Sequence, residues 1–112
     1  MQQGLCVPVY DKLVRDLIPK HLTELGITFR TRRLDGEEYQ ARLLDKLGEE
    51  TDELRKARTD EERLAELADV LEVVYALAEH LGGHAVVEHR RLQKLEARGA
   101  FTERILLLET DD

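Results

Sequence analysis

From Thr59 to Leu81 the chain spells a helix that is apolar nearly all the way round, and no other stretch restricts the fold so much. At about 100° per residue, Leu64, Leu67, Val70, Leu71, Val74, Leu77, Ala78 and Leu81 cover about half its circumference. Ala65, Ala68, Val73, Tyr75 and Ala76 widen that surface. Such a helix must be buried on nearly every side. A chain of 112 residues makes one domain, and its other helices can hardly cover this one. The expected fold is therefore mainly α: an antiparallel helix hairpin or bundle completed by oligomerisation, with a minor β element. Residues 1–112 form the single domain, and the assembly is a homodimer or homotetramer.

The remaining elements follow from local signals. Residues 39–58 read as a second long helix, announced by Asp35 followed three residues later by Glu38. Thr59 followed by Glu62 repeats that start signature for the apolar helix, and Gly82-Gly83 ends it. A further helix covers about residues 85–97, with Gly99 as its cap. Near the start, Asp16 is positioned to cap a short helix over residues 17–25, in which Pro19 is tolerated in the first turn and Gly26 is the stop. Residues 5–14 look extended. Residues 27–34 alternate Ile27, Phe29 and Thr31 against Thr28, Arg30 and Arg32, a strand pattern, and the apolar run 104–109 reads as a strand that pairs with it.

The long helix over residues 39–58 contains an anomaly. Tyr39, Leu43, Leu47, Leu54 and Ala57 share one face, and Glu50 falls in its middle, with Glu53 at the edge one turn on. A carboxylate held on a packing face costs several kcal/mol unless something pairs with it. The next helix brings a second acidic pair, Glu66 and Asp69, and twelve residues separate Glu53 from Glu66. That is enough to finish one helix, turn and begin an antiparallel one, so the two pairs can face each other. Four hard oxygen donors suit Mg²⁺ or Mn²⁺. Two other readings stand beside this one. Glu50 can meet an arginine in the core, and Glu62, Glu66 and Asp69 can form a solvated stripe, although that stripe runs on into Val73 and Ala76.

Composition narrows the function classes. A net charge of −7 argues against a basic module for duplex nucleic acid, and five aromatics are too few for a base-stacking platform. Arg30, Arg32 and Arg33 form one basic cluster and Arg90, Arg91, Lys94 and Arg98 another, both readable as solvated surface. Cys6 is the only cysteine, which excludes an intrachain disulfide and fits a reducing, cytoplasmic setting. Serine is absent, so a serine triad is excluded, and no histidine lies near Cys6 in sequence. No secretory signal is evident, and no apolar run approaches membrane-spanning length. His21, His80, His84 and His89 read as surface or capping residues.

The pattern E-E-x-x-E at Glu49, Glu50 and Glu53, followed on the next helix by E-x-x-D at Glu66 and Asp69, resembles the all-α nucleoside triphosphate pyrophosphohydrolases of the MazG-like superfamily. Phosphoribosyl-ATP pyrophosphohydrolase is a relative within it. The opening Tyr10-Asp11-Lys12-Leu13-Val14-Arg15-Asp16-Leu17-Ile18-Pro19 looks like the KLVRDxIP start of one small-protein branch. The tail Arg98-Gly99-Ala100-Phe101-Thr102-Glu103-Arg104-Ile105 is similar to that branch's RGGFxxRI ending, with Ala100 where a second glycine is usual.

The resemblance implies hydrolysis of a nucleoside triphosphate, or a related nucleotide such as phosphoribosyl-ATP, to the monophosphate and pyrophosphate, in the manner of a house-cleaning enzyme. It implies Glu50, Glu53, Glu66 and Asp69 as ligands of Mg²⁺ and Glu49 as general base on the attacking water. It also implies an oligomer with sites near subunit contacts. A triphosphate needs protein cations too. Lys12 and Arg15 in the opening, and Lys94 and Arg98 before the tail, are suited to phosphate, or else to ion pairs and surface charge. A nucleotide-binding module without turnover and a helical interaction protein with solvated acids are the alternatives.

Overall fold

A computed structural model describes residues 10–111, and among them the fold is helical throughout. Four helices follow in order: α1 Ile18–Glu24, α2 Gly36–Lys56, α3 Asp60–His80 and α4 His84–Arg98.

The two long helices start where their caps dictate. Asp35, in extended backbone, accepts a hydrogen bond from the Glu38 amide, and Thr59 accepts one from the Glu62 amide. The reciprocal half of each capping box is redirected. Glu38 pairs with Arg32 instead, and Glu62 accepts from the amide of Arg58, one residue before the cap. Three residues, 57–59, join α2 to α3, short enough to force an antiparallel hairpin.

Inside the hairpin each helix presents a stripe with spacings of four and three. On α2 it runs Leu43, Leu47, Glu50, Leu54; on α3 it runs Glu66, Asp69, Val73, Ala76, His80. The end away from the turn is apolar. Leu43 is 2% exposed, Val73 is also buried, and the Tyr39 ring meets His80 edge-on at 5.4 Å. His80 is thus a packing residue, partly buried, rather than the surface or capping residue its sequence suggests. Toward the turn the same interior becomes acidic.

At its far end α3 breaks at Leu81, and the axis turns by 108° into α4. Gly82 and Gly83 have φ of 123° and 112°, a region that disfavours residues with a Cβ, and the Gly83 amide closes the helix onto the Ala78 carbonyl. His84 begins α4, with Glu79 at 3.0 Å and the Tyr75 ring at 5.0 Å. Helix packing among the described residues is limited to α2 on α3 and α3 on α4. No single helix is long and apolar enough to cross a membrane.

Three local expectations are corrected. Residues 27–34 and 104–109 form no strands, and no strand occurs among the described residues. Alternation supplies a strand's side-chain pattern, but a strand also needs a partner's backbone, and neither run has one. The N-cap of α1 is Leu17, with no side-chain cap, rather than Asp16. In the stretch expected to be extended, 5–14, residues 5–9 lie outside the described residues and 10–14 form no regular element.

Candidate metal centre

The acidic half of the hairpin interior brings Glu50 of α2 together with Glu66 and Asp69 of α3. Each offers a carboxylate oxygen, and the three oxygens lie within 4.8 Å of one another. Helix geometry explains the convergence. Glu50 follows Leu43 and Leu47 on the α2 stripe, Glu66 and Asp69 precede Val73 on the α3 stripe, and the antiparallel pairing that seats Leu43 near Val73 sets the acids opposite each other. The Glu50 side chain is only 13% exposed.

The group carries an electrostatic penalty. The Glu66 carboxyl is pushed above its usual range, first by loss of water around it and then by the charges of Asp69, Glu50 and Glu53. A hydrogen bond to Glu50 adds to the shift. A cation held among these oxygens would offset the repulsion. Glu50, Glu66 and Asp69 are thus the residues that could hold a metal ion.

Glu53 stands at the edge. It is exposed, outside the tight triad, and lines a shallow opening of about 250 Å³ with Lys56, Ala57, Glu62 and Glu66 beside the turn. Glu49 is outside the triad, with Lys46 at 3.4 Å and Lys12 at 3.5 Å. Lys46 also lies 3.6 Å from Glu50. The counter-charge to Glu50 is thus a lysine one turn back on its own helix, not an arginine in the core. Sequence reasoning passed over Lys46, although a spacing of four to Glu50 and three to Glu49 was a legible signal.

The opening segment lies over this cluster as a cationic strap. Arg42 of α2 donates to the Asp11 carbonyl at 2.9 Å, holding the segment down. Asp11 has φ of 44°, in the left-handed region that aspartate tolerates better than most residues. From there Lys12 reaches Glu49 on α2, and Arg15 reaches Asp69 on α3 with Nη2 2.7 Å from Oδ1. The strap spans both helices of the hairpin.

Lys94 and Arg98 are placed elsewhere. They line a groove of about 540 Å³ along the end of α4 with Arg91, Leu95, Gly99, Ala100 and the 97% exposed Phe101. Since α4 does not pack on α2, one chain does not unite these two cations with the acids. Of the basic clusters, Arg32 is held by Glu38 and Arg91 by Glu88, ordinary surface pairs.

Comparison with family models, with curated proteins and with solved structures finds no match to this chain.

Proposed function

We propose that the chain is a nucleoside triphosphate pyrophosphohydrolase dependent on Mg²⁺ or Mn²⁺, releasing pyrophosphate and a nucleoside monophosphate. The observation that supports this reading best is the meeting of Glu50, Glu66 and Asp69 from two helices beneath a strap carrying Lys12 and Arg15. The motif resemblance supplies the reaction.

A bound divalent cation contributes positive charge where the phosphate oxygens gather it. The chain's own residues have separate tasks. Glu50, Glu66 and Asp69 would hold the cation, with Glu53 as a further ligand from the edge. Glu49 orients a water and accepts its proton as the water oxygen bonds to phosphorus. The phosphoanhydride bond to the leaving pyrophosphate then breaks, and that group departs with the electron pair. Arg15 and Lys12, which pair with Asp69 and Glu49 in this structure, would be the chain's own cations for the phosphate oxygens. Lys94 and Arg98 have no task within one chain; a phosphate role for them requires a second subunit.

The decisive experiment incubates the protein with a panel of nucleoside triphosphates, and with phosphoribosyl-ATP, in millimolar Mg²⁺. The expected result is pyrophosphate release from at least one substrate, lost in Glu50→Gln and in Glu53→Gln. Nucleotide binding without release supports the non-catalytic module on the same fold. Release of single phosphate identifies a different reaction and overturns the proposal.

A further inference from the structure

Successive residues on a helix point about 100° apart, so nothing in the geometry of α2 by itself keeps Glu49 beside Glu50. The proposed reaction nevertheless needs its proton acceptor next to the converging acids. One side chain joins the two. Lys46 lies one turn earlier on α2, and around the helix axis it falls between Glu49 and Glu50. Its ammonium is 3.4 Å from Glu49 Oε1 and 3.6 Å from Glu50 Oε1.

Burial sets Lys46 apart from the other cations near the acids. Its side chain is 18% exposed, whereas those of Lys12 and Arg15 are 45% and 55% exposed. Exposed pairs are screened by water and salt and contribute little. Between two carboxylates and largely out of water, the Lys46 ammonium is screened less and held more firmly. It also projects from the middle of a long helix, whereas Lys12 sits in a segment without regular structure.

The contacts discriminate between the two oxygens of Glu49. Lys46 and Lys12 approach the same one, Oε1, from two different segments. Among the described residues no hydrogen bond engages Oε2. Two cations on one oxygen limit rotation of the carboxylate and leave the lone pairs of the other oxygen open.

We propose, resting on the functional reading above, that Lys46 is a positioning residue: it ties Glu49 Oε1 to Glu50 and so presents Glu49 Oε2 to the attacking water. Lys46 touches no reacting atom and acts through Glu49. A lysine that merely offset the charge of the acids would alter stability or cation binding and leave kcat as it was.

Lys46→Met keeps most of the stem and removes the ammonium. At saturating nucleotide and Mg²⁺, kcat for pyrophosphate release is expected to fall by about 10–100-fold, with KM changed by less than about twofold. In a Glu49→Gln background the same substitution is expected to cost less than about threefold, because no base is left to position. Mn²⁺ affinity, read from the paramagnetic signal of the free ion, is not weakened. Where Lys46→Met does not fold, Lys46→Gln, which leaves a polar head in the site, is compared in the same two backgrounds. An unchanged kcat overturns the proposal. So does an equal loss in both backgrounds, a rise in KM alone, or a loss of Mn²⁺ affinity in step with kcat. Wild-type protein that releases pyrophosphate from no nucleotide overturns the functional reading itself, and the role of Lys46 with it.

Discussion

The side of α3 that meets α2 holds Glu66 and Asp69 where a packing helix would ordinarily bury apolar groups, while the side turned away holds Leu64, Ala68, Leu71 and Tyr75 where water would ordinarily meet charge. Both sides are out of balance in one isolated chain, but for different physical reasons. On the inner side the cost is electrostatic: three carboxylates converge, and lost hydration together with the neighbouring charges raises the Glu66 pKa. On the outer side the cost is apolar area left in water. Positive charge offsets a cost of the first kind, and apolar contact one of the second. One helix thus carries an acidic side and an apolar side, and burial alone does not distinguish the two costs.

The comparison predicts effects of graded size. The largest is on turnover. Glu50→Gln leaves two of the three converging carboxylates, and pyrophosphate release should fall by about three orders of magnitude at saturating Mg²⁺, with Glu49→Gln costing about 10²–10⁴-fold. Retained turnover in Glu50→Gln would detach the inner face from chemistry. Next is the hairpin core. Leu43 is 2% exposed, so Leu43→Ala should lower stability by about 2–5 kcal/mol in denaturant unfolding. Leu44→Ala, at a site 51% exposed, should cost much less.

The third effect is the cation's own. At 100 times its dissociation constant Mg²⁺ should stabilise the fold by about 3 kcal/mol, read as a rise in Tm, and the rise should vanish in Glu50→Gln. Equal stabilisation of both proteins by Mg²⁺ would place its binding elsewhere.

The fourth effect is pH-dependent. Because the folded state raises the Glu66 pKa, folded protein keeps a proton that unfolded chain has already lost. Without metal, that stabilisation is complete below the ordinary glutamate pKa, about 4.3, and disappears as pH rises through the elevated value. Mg²⁺ favours the ionised form, so its Tm gain should grow across the same window. Melting curves with and without Mg²⁺, set against Glu66→Gln, measure the difference. The smallest effect is at the strap. The Arg15–Asp69 pair is half-exposed, so Arg15→Ala should change stability by no more than about 1 kcal/mol while raising KM for the nucleotide.

Much of the helical frame was legible. Asp35 with Glu38 and Thr59 with Glu62 marked both long helices correctly, because a cap is a bond between residues three apart. Gly26, Gly82, Gly83 and Gly99 marked stops for a similarly local reason, each adopting positive φ. Where partners are distant, reading failed. Residues 27–34 and 104–109 have strand-like side chains but no strand beside them. His80 looked like surface until Tyr39, on the other helix, was placed against it.

The candidate site divides along the same line. Periodicity alone determined that Glu50 interrupts an apolar stripe, that Glu66 and Asp69 share a side of the next helix, and that α3 is apolar nearly all the way round. Those are consequences of 3.6 residues per turn. The tertiary structure decided which acids meet. It drew Glu50, Glu66 and Asp69 into one cluster, left Glu53 at the rim, tied Glu49 to Lys46 and Lys12, and set Lys94 and Arg98 apart on α4. The offset and rotation of α2 against α3 depend on how Leu43, Val73, Tyr39 and His80 pack between them, and the 108° turn at Gly82-Gly83 carries α4 away. Spacing within a helix cannot encode either one, because both depend on contacts between residues far apart in the chain.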